Sequence, residues 1–206
     1  MKLDRRFINI VVLVLFIGSI FKSDSIALPK YKNTLIGDTI VLAESVSEQE
    51  AKEETLAKIN ATNLNIVKVA HREVGNVGGE KFWSYFGFNT YQAWCCCFVS
   101  WCADQCGFIE DGTFPKFTSV KHGYELFKSR NQWISGRETP EPGMVVFFAY
   151  PDEEGNYRGC NHVGLVKAVI DGRVYCIEGN YNNTCCETEY VIGHPLIVGY
   201  GTPDYQ

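Results

Sequence analysis

The chain contains no Cys-x-x-Cys pair, although nine of its 206 residues are cysteine. That absence weakens a structural zinc site, whose thiolate ligands usually come in such closely spaced pairs. No internal repeat and no low-complexity tract is present either. Histidine is scarce, with four residues, and net positive charge is missing: the formal charge is −5. An acidic chain is a poor nonspecific ligand for nucleic acid or anionic surfaces, so its partners must be recognised by a shaped site. What is there is ordinary globular material. Hydrophobic content of 46% and charged content of 21% predict a packed core. The length suits one domain plus short extras.

The first residues differ from the rest. Lys2, Arg5 and Arg6 precede an uncharged apolar run over residues 7–21, followed by a polar stretch ending Ser25-Ile26-Ala27. A basic start, an apolar segment and small residues predict a secretory signal peptide over 1–27. The run is shorter than the ~20 residues a spanning helix usually needs. A retained membrane anchor through residues 7–21 is the alternative. Both readings place the remainder outside the cytoplasm, at the cell surface or beyond. Removing 1–27 takes away four Lys/Arg and two Asp/Glu, leaving 15 against 22 and a net −7.

Residues 28–46 mix Pro, Lys, Gly, Thr and Ser without a period and read as a linker. From Ser47, a capping residue with Glu50 three positions on, a helical extension is expected over 47–65, interrupted at Asn60–Asn65. Ile66, Val67, Val69, Ala70 and Val74 recur at helical spacing, and Gly75 closes that helix. A buried helix is expected from Trp94 to about Cys106, ended by Gly107, and another over Val120–Ser129. Downstream the period changes. Met144–Ala149, His162–Ile170, Arg173–Ile177 and Val191 with Ile197-Val198 are rich in β-branched and aromatic residues and predict strands. Helices first and strands second predict an α+β domain with an antiparallel sheet.

The stretch Ala93-Trp94-Cys95-Cys96-Cys97-Phe98-Val99-Ser100-Trp101-Cys102 places a cysteine at a helix start. There a thiol faces free backbone N–H groups and the positive end of the dipole, which favour the reactive thiolate. Cys95 is therefore the candidate nucleophile. Cys96 and Cys97 would project about 100° apart per residue. Inside a helix a thiol is a small hydrophobe, so Cys97, Cys102 and Cys106 read as buried filler, and Cys96 stays unassigned. The competing reading makes all of them filler. An odd cysteine count leaves at least one thiol unpaired or bound to another molecule, and a chain this long needs no staples.

A cysteine nucleophile needs a base. His71, His122 and His194 lie on a predicted helix or near turns and read as surface or structural. His162 stands at the mouth of a strong strand, held yet open to a cleft. A third group should orient the imidazole, and the next strand ends Ile177-Glu178-Gly179-Asn180. Two connections are open. A two-residue Asp171-Gly172 turn pairs 170 with 173 and sends Glu178 to the other face. A three-residue loop, Ile170-Asp171-Gly172, pairs 169 with 173 and sets His162 opposite Asn180 and Gly164 opposite Glu178, on one face. The chemistry requires the second register, which is the expectation here. Taken singly, Glu178 also reads as a solvated strand-end carboxylate and Asn180 as a turn residue.

The ordered set Trp94-Cys95-x-x-Phe98-Val99-Ser100-Trp101, Pro142-Gly143-x-Val145-Val146-Phe147-Phe148, His162-Val163-Gly164-Leu165-Val166 and Ile177-Glu178-Gly179-Asn180 resembles the CHAP family. These are the cysteine, histidine-dependent amidohydrolases and peptidases of bacterial cell-wall turnover. Ala70-x-x-Glu73-Val74-Gly75 and Gly79-x-Lys81-Phe82-Trp83 resemble its opening, and Gly199-Tyr200-Gly201-Thr202-Pro203-x-Tyr205 its end, so the resemblance covers 66–206. It implies a papain-like fold, with the cysteine helix packed on an antiparallel sheet that carries the histidine. It also implies Cys95 as nucleophile, His162 as base and later acid, and Glu178 orienting the imidazole with Asn180 assisting. Cys96, Cys97 and Met144 depart from the family pattern without removing a catalytic position. The implied substrate is the peptidoglycan stem peptide, cut by an endopeptidase in preference to an N-acetylmuramoyl-L-alanine amidase, with no cofactor and no metal. Alternatives are a papain-like domain that binds wall peptides without cutting them, or a cysteine-rich extracellular interaction module. Cys160 and Cys176 flank the catalytic strands and read as unpaired thiols, a disulfide between them being the alternative. Cys185-Cys186 carries too little signal to assign.

Overall fold

A computed structural model describes residues 62–205. The apolar run at 7–21, the linker 28–46 and the helical start at Ser47 lie outside them. Helix α1 runs over 62–71. The expected interruption at Asn60–Asn65 is corrected for 62–65, which are helical. Asn63, Ile66, Val67 and Ala70 are all buried, and their i, i+3, i+4, i+7 spacing is one helical face. Burial of that face overrides the weak helix preference of asparagine.

Three further helices follow: α2 (Glu80–Tyr85), α3 (Cys95–Asp104) and α4 (Val120–Ser129). Ser119 caps α4, its hydroxyl accepting from the His122 N–H at 3.3 Å. In α3 every residue from Cys95 to Ala103 is buried. A helix apolar all round belongs in the interior, and α3 lies at the centre of the larger hydrophobic cluster. The loop after it is pinned back by Ser100, whose hydroxyl donates to the Phe117 carbonyl at 2.5 Å and accepts from the Phe117 N–H at 3.1 Å. Phe114, Phe117, Phe127 and Phe147 pack together above it.

The sheet comprises β1 (Trp133–Ser135), β2 (Val145–Phe148), β3 (His162–Ile170), β4 (Arg173–Tyr181), β5 (Thr184–Val191) and β6 (Ile197–Gly201). Their order is β1-β6-β2-β3-β4-β5, and every pairing is antiparallel. The architecture is the expected α+β one. One face, with Val145, Phe147, Val163, Leu165 and Ile177, packs with α3; the other carries Val146, Phe148, Val166, Val174, Cys176 and Tyr200.

The β3–β4 connection corrects the expected three-residue loop. Ile170 pairs with Arg173, so the turn has two residues, Asp171 and Gly172, at φ 49° and 74°. Positive φ at both centres defines the turn whose twist matches two antiparallel strands. The missing residue reappears inside β3. Val169 pairs with Val174 and Ala168 with Tyr175, but Val166 pairs with Cys176 and Leu165 with Ile177. Lys167 is bulged out of the ladder, which shifts the register by one. Continued one pair further, this register sets Gly164 opposite Glu178. The expected facing therefore holds, produced by a bulge in β3 rather than by the turn.

Candidate active site

The start of α3 is held from behind. Trp94, just before it, is fully buried, stacks on Phe82 at 5.3 Å and donates its indole N–H to Asn183 Oδ1 at 3.3 Å. Gly79 makes room for this ring: a Cβ there would stand 2.2 Å from the indole. No side chain caps the helix start, so its first N–H groups remain available as donors. Cys95, the first helical residue, is 4% exposed.

His162 opens β3, and its Nε2 lies 2.9 Å from Glu178 Oε2. The N–H bond is off the line to that oxygen, so the contact is a charge pairing and not an aligned hydrogen bond. With Nε2 on the carboxylate side, Nδ1 is the nitrogen left for the Cys95 thiol, which interacts directly with this imidazole.

Glu178 is fully buried. A buried carboxylate is costly unless its oxygens are matched by donors, and three hydroxyls surround it here. Tyr190 donates to Oε1 at 2.9 Å, and Thr188 donates to the same oxygen. Tyr150 reaches Oε2 at 3.5 Å and bonds Tyr190 hydroxyl to hydroxyl at 2.8 Å. The reading of Glu178 as a solvated strand-end carboxylate does not survive.

The electrostatics follow from this packing. Cys95 is held well below the usual thiol range by a hydrogen bond from Cys96 and by the hydrogen bond and charge of His162. The Val163 N–H adds to this, and together they outweigh burial. Burial alone would discharge His162, but its contacts with Cys95 and Glu178 and their negative charges raise it to about 9. Both shifts favour the thiolate–imidazolium form of the pair. The other thiols move the opposite way. Cys96 and Cys102 are pushed well up, and Cys97 and Cys106 rise to about 11, with burial the leading cause for all but Cys96. For Cys96 the leading cause is its hydrogen bond to Cys95.

Asn180 sits at φ 62° where the β4–β5 register shifts, and accepts from the Tyr91 hydroxyl at 3.2 Å. It makes no hydrogen bond to His162. Both residues instead line a cleft of about 260 Å³, with Tyr150, Tyr181 and Asn182. The four expected residues thus converge on one site: three in a chain of contacts, and Asn180 on the cleft wall. Cys97 and Cys102 are buried as expected, and Cys106 is half-buried. Cys160 and Cys176 are both free thiols; Cys160 packs against the α3 side of the sheet and Cys176 lies in the other cluster.

Sequence reasoning missed Tyr150, Thr188, Tyr190 and Tyr91. Thr188 and Tyr190 alternate with Cys186, the partner of Glu178. Recognition of β5 as a strand would have placed them on the face of Glu178.

A thiol at a helix start, packed on an antiparallel sheet that supplies a histidine and a buried carboxylate, is the papain-like arrangement. Residues 86–180 match the family model of the CHAP domain. No curated protein matches the chain. Among solved structures it is similar to the crystal structure of Ly7917, at 19% identity and a TM-score of 0.46, over 68% of this chain and 62% of that one. It is also similar to Ly7917 with the hydrolyzing product of MDP, at 21% identity and a TM-score of 0.44, over 70% and 62%. The chain spans less than two thirds of the length of these structures.

Proposed function

We propose that this protein is an exported peptidoglycan hydrolase that cleaves an amide bond of the wall peptide through Cys95. The match of residues 86–180 to the CHAP family model supports the wall as substrate. The observation that carries the chemistry is the contact chain from Cys95 to His162 to the buried carboxylate of Glu178.

Each residue has a task. The Cys95 thiolate attacks the amide carbon, and the S–C bond forms as the carbonyl oxygen takes the electron pair. Backbone N–H groups at the uncapped start of α3 are suited to hold that oxyanion. The His162 imidazolium gives its proton to the leaving amine as the C–N bond breaks. Neutral His162 then takes a proton from water, whose oxygen attacks the thioester and releases acid and thiolate. Glu178 keeps the imidazole oriented and stabilises its charged form, and Asn180 and Tyr181 line the cleft where substrate would lie. Cleavage within or between stem peptides is favoured over cleavage of the muramoyl–alanine amide. The basic, apolar N-terminal segment supports export, by a cleaved signal or a membrane tether through residues 7–21.

The test is mass spectrometry of muropeptides after the full chain meets purified peptidoglycan, beside a Cys95→Ala control. New products that vanish in the control are expected, and their masses name the bond. Folded, reduced protein that yields no products on several wall types would leave a wall-peptide-binding domain instead.

A further inference from the structure

Two thiols begin α3 side by side, and they meet. Cys95 and Cys96 are 4% and 1% exposed, and their sulfurs lie 4.0 Å apart, within hydrogen-bonding reach for sulfur. Consecutive helix positions diverge by about 100°, so the helix alone does not bring the sulfurs together; the Cys96 side chain turns toward its neighbour. Cys97, one position on, is equally buried, yet among the described residues it makes no hydrogen bond to Cys95.

Which sulfur donates follows from the other neighbours. Cys95 faces the His162 imidazole and the Val163 N–H, which both favour a thiolate. Among the described residues no cation acts on Cys96, and its contact with Cys95, its burial and the Cys95 charge all keep its proton on. The proton between the sulfurs therefore belongs to Cys96.

We propose that Cys96 is a positioning residue of the active site, whose S–H donates a hydrogen bond to the Cys95 sulfur and holds it as the thiolate. The thiol is a weak donor. It steadies the anion while leaving its electron pair more available than a hydroxyl would. This assigns a role to a cysteine that packing alone would class as filler. The inference rests on Cys95 being the nucleophile of the proposed hydrolase. Its readout is the thiol itself, so failure to cut the wall and failure of this inference are separate results.

The experiment measures the rate of iodoacetamide alkylation at Cys95 in the full chain across a pH series, with the modified residue located by mass spectrometry. In Cys96→Ala the midpoint of the profile should rise by about one pH unit, the scale of a lost hydrogen bond to a charged group. Cys96→Ser should keep the midpoint at or below that of the parent, with a slower limiting rate, because nucleophilicity falls with pKa. Cys97→Ala should leave the profile unchanged. Cys96→Val, also without a donor, serves if the alanine variant does not fold. An unchanged midpoint in a folded alanine or valine variant overturns the proposal, as does a serine variant that titrates like alanine. If neither donor-free variant folds, Cys96 is a packing residue and the proposal falls.

Discussion

Gly164 and Glu178 occupy one space. A Cβ on Gly164 would stand 2.7 Å from Glu178 Cγ and 3.0 Å from the Ile177 carbonyl oxygen. The glutamate lies across the bare glycine backbone, and from there its carboxylate reaches His162 two residues up the same strand. The glycine is needed for room, not for backbone freedom.

Gly164→Ala should therefore act through Glu178. Overpacking at a buried site costs about 1–3 kcal/mol, readable as a lower urea midpoint. The displaced carboxylate should also let the His162 pKa fall from its raised value. A variant with unchanged stability and an unchanged imidazole titration would remove the steric argument.

The thiolate–imidazolium pair predicts a bell-shaped pH profile for amide cleavage. Its acid limb follows Cys95 and lies well below the usual thiol range. Its alkaline limb follows loss of the His162 proton, at about 9. The Cys95 contact and charge help hold the proton on His162, so Cys95→Ala should lower the imidazole pKa. NMR titration of the ring would read this directly. An imidazole pKa that stays put in the variant would show the two groups to be uncoupled.

Tyr190→Phe removes one of the two donors on Glu178 Oε1 and the partner of the Tyr150 hydroxyl. Loss of a donor to a buried group costs about 1–3 kcal/mol. A matching drop in unfolding free energy is expected, with Thr188 still holding the carboxylate. An unperturbed midpoint would mean that the hydroxyl contributes nothing net.

All nine cysteines are free thiols. Unfolding without reductant should expose nine titratable groups. In the native protein Cys95 should react fast at neutral pH, and Cys106, Cys160 and Cys186, half-buried, slowly. Cys96, Cys97, Cys102, Cys176 and Cys185, all buried, should wait for unfolding. Fewer than nine thiols in the unfolded chain would reveal a disulfide and revive the cysteine-rich module as a reading.

The site was legible where chemistry and local pattern coincide. Cys95 begins an apolar helical run, His162 begins a strand of β-branched residues, and Glu178 and Asn180 end the next strand. The support around them was not legible. Strand β5 is an edge strand whose Cys185, Glu187 and Glu189 share one face, the cysteine buried and the two glutamates exposed and paired to Lys167 and Arg173. Its polarity hid it, and Thr188 and Tyr190 with it. Strand β1 has three residues, too few to show a period.

Periodicity, turn chemistry and the order of the motifs determined the α+β class, the buried cysteine helix and the residues that could do chemistry. These depend on which side chains are near in sequence, and neighbours in sequence set local backbone preference. Only the tertiary structure decided that Lys167 bulges, so that a two-residue turn still brings Glu178 over Gly164. Only it decided that Cys96 turns its thiol to Cys95, and that Glu178 is buried among three hydroxyls. Each of these depends on strands and a helix distant in the chain, and a ladder register or a buried charge is settled by the partner it finds, not by the residues beside it.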